Sequence, residues 1–177
     1  MSQPPPGAGQ LSAARAAEIL AGCRGLRVAI VGDVVLDEYL VGRPERLSRE
    51  GPIPVLSFDR RVCLPGGAAN PARNVAALDG RAVQIGVIGR DPAGDELVAL
   101  LRGAGIDTEG LAADDDRPTT VRTRIGAEGQ AAPQQLARID RQTRDPLADA
   151  LQARVVAAVS AAGADAGFLA QGIQDLG

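Results

Sequence analysis

Two short runs rich in β-branched residues constrain the fold of this chain more than any other feature. Arg27–Val31 and Ala82–Ile88 are almost continuously apolar, which is the pattern of parallel strands buried on both faces. Asp91 and Pro92, a helix cap and a first-turn residue, follow the second run and precede a predicted helix over 94–101. A buried strand followed by a helix is the unit of an α/β fold, in which ligands bind at the carboxyl ends of the strands.

Other patterns predict further elements around this core. Spaced apolar residues predict an amphipathic helix over Ser12–Ala21 and another helix over Pro146–Ala161, with Asp145 as the cap of the second. Alternation in Thr119–Ile125 and, less regularly, in Gln135–Asp140 predicts an antiparallel hairpin. The remaining residues after 163 have room for one more strand.

Two stretches do not fit the core pattern. Residues 1–10 are rich in proline and glycine, so we predict a mobile tail there and a folded domain over 11–177. Gly42–Arg61 is polar and punctuated by proline, and its run Ile53–Phe58 is too short and too proline-rich to be a central strand. We interpret this stretch as an excursion from the core.

Composition excludes several classes of mechanism. The sequence has 177 residues, contains no His, and all 19 of its basic residues are Arg. A Walker A loop, a Schiff base, a Ser-His-Asp or Cys-His nucleophile and a His-ligated zinc site therefore cannot be built from it. Cys23 and Cys63 form no CxxC pair, and we predict two small buried thiols rather than a metal or redox site.

Charge and hydropathy also narrow the range of partners. The formal net charge of −3 gives no basic field, which argues against a nucleic-acid binder. No apolar run approaches the roughly 20 residues that a membrane-spanning helix needs, and the N-terminus lacks the pattern of a signal peptide. We therefore predict a cytoplasmic protein that binds neither nucleic acid nor membrane.

The most specific local feature is PGGAANPARN, which covers Pro65–Asn74 and leads into a predicted helix. Gly66 and Gly67 have no side chain to keep a ligand from the backbone, and free N–H groups at a helix start favour anionic or hydroxyl oxygens. Asn70 can add a side-chain amide at the same place. The alternative is a tight turn in which the two glycines only satisfy backbone geometry, and this motif alone leaves both interpretations open.

Six segments together resemble a known family. In chain order they are RVAIVGDVVLDEYLVG, GPIPVLSF, PGGAANPARNVAALDG, VIGRDPAGDELVALLRGAGID, RPTTVRTRI and QQLARID. They resemble the ribokinase-like, or PfkB-type, sugar kinases, and most closely the heptose 7-phosphate kinase branch found in bifunctional ADP-heptose synthesis proteins. The resemblance covers about Leu11–Asp165, and GDVVLD and PGGAAN are its most specific motifs.

This resemblance implies a fold and a reaction. The fold would be a Rossmann-like ribokinase-type α/β core, truncated, with a small β lid formed by segments at about 39–62 and 119–140. The reaction would be ATP-dependent phosphate transfer to a sugar hydroxyl, such as heptose 7-phosphate to heptose 1,7-bisphosphate in lipopolysaccharide precursor synthesis. ATP and Mg would be the cofactors. Lid strands around Ile53–Phe58 and Thr119–Ile125 could pair with a second copy to form a homodimer.

The resemblance also implies roles for individual residues at the sugar. Asp37 matches the acid that binds sugar hydroxyls at the end of the first strand, and Gly66, Gly67 and Asn70 match the sugar-binding loop before a helix. Asp33 is similar to the branch pattern, and its carboxylate could accept hydroxyl donors or cap a turn.

Arginines of the lid match less directly. Arg122 stands where the branch usually has a lysine, and either Arg122 or Arg124 could face a phosphate, the alternative being solvated arginines on a strand face. Arg138 and Asp140 match the step that returns from the lid, where either substrate contact or an ion pair that braces the hairpin is open.

The match ends near 166–170. In the family, a second half carries the Gly-Ala-Gly-Asp motif, with the anion hole and the catalytic base, and most of the nucleotide site. We therefore assign no catalytic residue and no metal ligand in this chain and expect little or no kinase activity from it alone. We expect the end to reflect a shortened or frame-shifted gene. The alternatives are a sugar-phosphate-binding module without catalysis, and a nonfunctional or complementing kinase fragment.

Overall fold

Both apolar runs become neighbouring parallel strands at the centre of one sheet. The computed structural model describes residues 11–128 and 134–170, and the predicted tail over 1–10 lies outside them. Within the described residues the elements in chain order are α1 (Ala13–Gly22), β1 (Arg27–Gly32), β2 (Val34–Leu47), β3 (Pro54–Gly67), α2 (Ala69–Ala77), β4 (Arg81–Gly89), α3 (Pro92–Gly103), β5 (Leu111–Asp114), β6 (Thr120–Ala127), β7 (Gln134–Arg141), α4 (Asp149–Ala161) and β8 (Ala166–Ala170).

The core sheet has the strand order β5-β4-β1-β8, and its pairings are parallel. Ile30 of β1 packs in a buried cluster with Ala72 of α2 and Leu97 of α3. On the other side, Ala29 belongs to a smaller cluster that includes Val155 of α4. Because neighbouring residues of a strand point to opposite faces, helices on both faces require the continuous apolar pattern of β1. The predicted α/β class is confirmed.

A second sheet, here called the lid sheet, has the order β3-β2-β6-β7. β2 and β3 form a long antiparallel hairpin, β6 runs parallel to β2, and β7 returns antiparallel along β6. The predicted hairpin of Thr119–Ile125 and Gln135–Asp140 is therefore confirmed as β6 and β7. Only Asp33 separates β1 from β2, so one nearly continuous extended segment runs from the core sheet into the lid sheet.

The expectation for Ile53–Phe58 is wrong in length. This run opens β3, which is 14 residues long and pairs with β2 from Pro54 to Gly67. Proline is tolerated because β3 is an edge strand of the described sheet, and Pro44 of β2 lies beside a shift in register. The glycines of the PGGAAN motif consequently end a strand, and Ala68 alone links that strand to α2.

One expected dimer strand is not available for pairing. β6, which contains most of Thr119–Ile125, is hydrogen-bonded to β2 on one side and to β7 on the other. A strand paired on both sides has no free backbone groups for another chain. The proposal that this strand pairs with a second copy is therefore wrong, and in the described part of the lid only β3 and β7 lie at an edge.

One of the two predicted helix caps is confirmed, Asp91 at the start of α3, and Ser12 is a further cap that was not predicted. The Ser12 hydroxyl accepts the Arg15 N–H at the start of α1, and the Asp91 carboxylate accepts the Gly94 N–H at the start of α3. The predicted cap at Asp145 is wrong, because α4 begins at Asp149. A guanidinium nitrogen of Arg117 holds the carbonyl oxygen of Asp145 at 2.6 Å, in an irregular segment that precedes the helix.

Both cysteines are free and half-buried, so the prediction of two buried thiols is wrong. Cys23 follows α1, a helix with no buried residue, and Cys63 lies on the edge strand β3. Cys63 packs against the edge of the core cluster, which covers its thiol only in part. Among the described residues, no helix is both long enough and apolar enough to cross a bilayer.

Candidate functional site

The carboxyl end of β1 and the base of the lid sheet border one cavity of about 410 Å³. Gly32 and Asp33 line it from the end of β1, and Arg117 and Arg122 line it from the approach to β6 and from β6 itself. Arg144 lies on the far wall, in the segment between β7 and α4. This strand-end cavity occupies the position at which open α/β sheets bind ligands.

One face of the lid sheet carries two rows of polar side chains. Strand register places Asp37 of β2 opposite Arg122 of β6, and Arg122 opposite Asp140 of β7. The next row on the same face contains Tyr39, Arg124 and Arg138. Because residues two apart share a face of a strand, register alone brings these six side chains onto one surface, here called the lid face.

Asp37 has a close charge partner but keeps an accepting oxygen. Its Oδ1 lies 3.2 Å from Nη1 of Arg124, and the same nitrogen donates a hydrogen bond of 2.8 Å to the hydroxyl of Tyr39. The Arg124 guanidinium also lies 5.3 Å from the centre of the Tyr39 ring, a distance typical of a cation–π contact. Asp37 Oδ1 is buried and accepts no hydrogen bond from any described residue, so it can accept one from a ligand hydroxyl.

Glycine occupies positions 66 and 67 of the PGGAAN motif for two different physical reasons. A Cβ at Gly66 would overlap the Asp37 carboxylate, so Gly66 leaves the space that Asp37 occupies. Gly67 has φ +58°, in the left-handed region, and a Cβ there would overlap the Asp33 carbonyl oxygen. That carbonyl accepts the Ala68 N–H at 2.8 Å. Turn geometry therefore explains Gly67, while close approach of a side chain explains Gly66.

The other candidate residues lie around the same site. Asp33 is exposed and lines the strand-end cavity, and Asn70 is exposed on the first turn of α2. Arg122 also lines the cavity, and its buried Nε has no hydrogen-bond partner within the described residues. Arg138 donates to Asp140 at 2.8 Å, an ion pair within the single strand β7.

Sequence reasoning missed part of this arrangement. Tyr39 was not predicted because the strand character of β2 was not recognised, although Asp37 and Tyr39 are two residues apart and so share a face. Asp37 consequently lies within β2 rather than at the end of the first strand. Arg117 and Arg144 were missed because no local pattern indicates that they meet at the cavity.

The described residues include no group of three or more Cys, Asp or Glu side chains that could hold a metal ion. Asp33 and Asp145 line the cavity beside Arg117, Arg122 and Arg144, and Asp37 pairs with Arg124. This donor set does not fit a magnesium ion held by the protein alone, and we derive no step through a metal.

Comparison with known proteins gives consistent relatives. The bifunctional protein HldE of Acidiphilium cryptum (strain JF-5) is 42% identical over 142 residues, which are 78% of this chain and 28% of that protein. The bifunctional protein HldE of Helicobacter pylori (strain ATCC 700392 / 26695) is 41% identical over 121 residues, 68% of this chain and 25% of that protein. The chain thus spans about a quarter of the length of these curated relatives.

Solved structures support the fold. A crystal structure of Sa239 superposes with a TM-score of 0.60 at 19% identity, covering 81% of this chain and 45% of that one. A carbohydrate kinase from Agrobacterium tumefaciens gives a TM-score of 0.51 at 20% identity, covering 64% and 34%. The model of the pfkB family carbohydrate kinases matches residues 26–171, which include both sheets of the structure. This chain therefore belongs to the pfkB family of carbohydrate kinases, a family of phosphotransferases.

Proposed function

We propose that this chain forms the sugar-binding part of an ATP-dependent kinase that acts on a phosphorylated sugar of the heptose 7-phosphate type. The observation that carries the proposal is the pairing of Asp37 with Arg122 in register on the lid face, beside the strand-end cavity. A sugar phosphate presents hydroxyl donors and an anionic group, and this pair offers an acceptor for the first and a cation for the second. The resemblance to the heptose 7-phosphate kinase branch supports the same substrate.

Asp37 is the proposed anchor for the sugar hydroxyls. Its buried Oδ1 has no hydrogen-bond donor within the described residues, and a buried acceptor without a partner costs free energy that a ligand hydroxyl would recover. Asp33, Gly66, Gly67 and Asn70 are proposed to complete the hydroxyl-binding side. Gly66 would do so by leaving the space that the Asp37 carboxylate occupies, and Gly67 by forming the turn before α2.

Arg122 is the proposed partner of the phosphate already on the sugar. Its Nε is buried and has no hydrogen-bond partner in the part of the chain that the structure describes, and Arg117 and Arg144 line the same cavity. The planar fork of a guanidinium matches two oxygens of a phosphate, which suits this role better than a single ammonium would. Arg138 lies on β7, the outer strand of the lid face, in the same row as Tyr39 and Arg124. We propose that it contacts the ligand from this row.

We propose ATP, with Mg bound to its phosphates, as the phosphate donor. Phosphoryl transfer depends mainly on positioning and on stabilising charge, and the residues above would hold the acceptor sugar in position. These 177 residues contain no Gly-Ala-Gly-Asp sequence, to which the resemblance assigns the anion hole and the catalytic base. No residue of this chain is therefore proposed as the base.

Binding can be tested by thermal unfolding, followed by circular dichroism, with and without millimolar heptose 7-phosphate. A ligand that binds only the folded state adds about 2.7 kcal/mol at one hundred times its Kd. We expect the midpoint to rise with the sugar, and this rise to disappear in Asp37→Ala. Asp59→Ala, which removes a carboxylate from β3 that pairs with Arg43 and Arg60, is the control and should keep the rise.

Turnover separates the two candidate functions. ATP-dependent phosphorylation of the sugar by the purified chain would support the kinase, whereas binding without phosphorylation would support a sugar-phosphate-binding module. The second candidate requires only the lid-face residues Asp37 and Arg122, which can bind a sugar phosphate without transferring phosphate to it. No rise in the midpoint for the unaltered chain would contradict both.

We also propose a homodimer through the edge strand β3. Phe58, Val62 and Leu64 on this strand are large apolar side chains that are exposed in the single chain, Phe58 to 68%. An unpaired edge with apolar side chains is suited to pairing with another chain. Light scattering should give twice the monomer mass for the unaltered chain and the monomer mass for Phe58→Asp, and a monomer in both would contradict the proposal.

A further inference from the structure

The back of the lid sheet carries a charge network that the proposed sugar site does not use. Arg61 of β3 donates from Nε to Glu38 of the neighbouring strand β2 at 2.6 Å. Its two terminal nitrogens donate to the two oxygens of Glu96 on α3 at 2.9 and 2.8 Å. The second oxygen of Glu38 accepts the Thr123 hydroxyl of β6 at 2.5 Å. One arginine thus joins three lid strands to a helix of the core, and we call this set of contacts the Arg61 clamp.

The helix that receives the clamp is firmly held. Leu97, next to Glu96, is completely buried, as is Leu101 one turn later. At the start of α3, Asp91 accepts the N–H of Gly94 at 2.8 Å and the N–H of Thr119 at 2.9 Å, just before β6 begins. The lid sheet is therefore attached to α3 at two separate points. A fixed helix can transmit its position to the strands that are attached to it.

The clamp acts directly behind the proposed sugar-binding acid. Asp37 and Glu38 are neighbours on β2, and neighbouring residues of a strand point to opposite faces. Asp37 thus belongs to the lid face, while Glu38 faces α3 on the other side of the sheet. Any force that fixes Glu38 relative to the core also fixes the backbone that carries Asp37.

Ionisation and hydrogen bonding favour a single geometry of the clamp. The hydrogen bond from Thr123 and the contact with Arg61 lower the pKa of Glu38, and the contact with Arg61 lowers the pKa of Glu96. Burial and a hydrogen bond to Glu96 raise the pKa of Cys63 to about 11, so its thiol stays protonated. Both carboxylates are therefore charged near neutral pH and share one planar guanidinium, which leaves it few alternative orientations.

We propose that Arg61 is a positioning residue, which fixes the lid sheet to α3 and thereby sets the place of Asp37 at the strand-end cavity. The effect on sugar binding rests on the proposed function, whereas the clamp itself does not. Exposed ion pairs often contribute little to stability, so the proposal concerns orientation rather than overall stability. A bidentate pair that links separate elements is the case in which geometry matters most.

A matched control lies at the next position. Arg60 also donates to both oxygens of a carboxylate, that of Glu128, at 2.9 and 2.7 Å, but through one terminal nitrogen, and both residues belong to the lid region. Arg60→Met and Arg61→Met therefore remove the same chemical group from the same strand, and only the second cuts the link to the core. Glu96→Gln leaves the contact of Arg61 with Glu38 in place and is a second variant, which weakens the link from the core side by removing the charge and one of the two accepting oxygens.

The test uses the full chain without sugar. Residual dipolar couplings of backbone amides report whether the two sheets share one orientation, and the carboxyl carbon chemical shift of Asp37 reports its surroundings. We expect one alignment to fit both sheets in the unaltered chain and in Arg60→Met. In Arg61→Met and Glu96→Gln the lid couplings should need a separate, weaker alignment, and the Asp37 shift should change. The double variant should show no larger effect than either single variant.

Affinity for heptose 7-phosphate, measured by calorimetry, is the second readout. We expect Arg61→Met and Glu96→Gln to weaken binding about tenfold, and Arg60→Met to leave it unchanged. If the unaltered chain does not bind the sugar, the proposed function is contradicted. The dipolar couplings and the Asp37 chemical shift still test whether Arg61 fixes the lid sheet to α3.

Several outcomes would overturn the clamp. The first is that one alignment still fits both sheets in Arg61→Met and Glu96→Gln. The second is that Arg60→Met loosens the lid sheet as much as Arg61→Met does. The third is that the two sheets already need separate alignments in the unaltered chain. An unchanged sugar affinity in clamp variants whose lid has loosened would overturn the positioning role. Should Arg61→Met fail to fold by circular dichroism, Glu96→Gln carries the test.

Discussion

At the scale of residues, Asp37 depends on a glycine in the strand beside it. The carboxylate lies where a side chain at position 66 would otherwise be, so the two residues fit together as a large and a small member of one pair. A strand position normally favours a residue with a side chain, and glycine weakens a strand. We therefore attribute Gly66 to the accommodation of Asp37 rather than to the stability of β3.

Gly66→Ala should impair sugar binding more than stability. The three heavy atoms nearest the added Cβ would all belong to the Asp37 side chain, which can rotate away from its position at the lid face. We expect at least a tenfold loss of affinity for heptose 7-phosphate, with the free energy of unfolding changed by less than about 0.5 kcal/mol. Calorimetry and urea unfolding would measure the two quantities.

Gly67→Ala provides the comparison, because its Cβ would overlap the backbone oxygen of Asp33 at a positive φ of 58°. We expect it to destabilise the chain by about 1–2 kcal/mol. A Gly66→Ala variant that loses stability but binds normally would contradict the accommodation of Asp37.

The glutamates of the Arg61 clamp should make stability depend on pH. The pKa of Glu38 and the pKa of Glu96 are both lowered from 4.5, so both groups add stability above that value. The contribution is lost as the pH falls through the lowered values. Arg61, Cys63 and Arg141 are the other groups that act on these carboxylates, and Arg61 and Cys63, whose pKa values are raised, keep their charge state in this range.

Urea unfolding of the unaltered chain and of Glu96→Gln would check this dependence. We expect a constant difference in the free energy of unfolding between pH 5 and pH 7, and a shrinking difference below about pH 4.5. A difference that persists unchanged to pH 3 would show that carboxylate charge is not its source.

At the scale of elements, α3 is attached to the lid region at its first residue. The carboxylate of Asp91 satisfies two backbone N–H groups, one in its own helix and one before β6. Asp91→Ala should therefore cost about 2–3 kcal/mol of unfolding free energy, because a lost cap is combined with an unsatisfied N–H of Thr119. Urea unfolding followed by circular dichroism would measure the loss.

Ser12→Ala is the matched control for this prediction. Ser12 caps α1 by the same type of bond, at 3.2 Å, but α1 buries none of its residues and Ser12 has no second strand to hold. We expect this variant to lose at most about 1 kcal/mol. Equal losses in the two variants would mean that the contact with Thr119 adds nothing.

Elements defined by local signals could be predicted from the sequence, while elements defined by distant partners could not. The caps of α1 and α3 and the hairpin of β6 and β7 depend on residues close in the chain. The length of β3 depends on pairing with β2, and its prolines are tolerated only because it lies at an edge. The start of α4 depends on Arg117, which holds the chain before it.

At the scale of the whole molecule, the same distinction applies to the candidate site. The resemblance brought Asp37, Gly66 and Arg122 to attention, and the structure has them close together on one side of the lid sheet. The ion pair of Asp37 with Arg124, and the contact of Arg124 with Tyr39, follow from the register of β2 and β6. When two strands are joined by a long connection, their register cannot be predicted from the sequence of either strand alone.

The parallel pairing of β2 with β6 sets an order on the folding of the chain. Glu38 and Thr123, which meet across these strands, are 85 residues apart in sequence. The β2–β3 hairpin and the β6–β7 hairpin each close a short loop. The pairing of β2 with β6 joins the two hairpins, and the chain between them contains α2, β4, α3 and β5. Closing that span costs less once the enclosed elements have folded, so the core sheet should form first.

Pulsed hydrogen exchange during refolding would measure this order, with β1 and β4 amides protected before those between β2 and β6. Simultaneous protection of both sets would contradict it. Because Asp37 and Arg122 face each other only across the β2–β6 junction, the pair proposed to bind the sugar phosphate would be among the last parts of the molecule to come together. Sugar binding should therefore appear only late in refolding, after the rest of the chain has folded correctly.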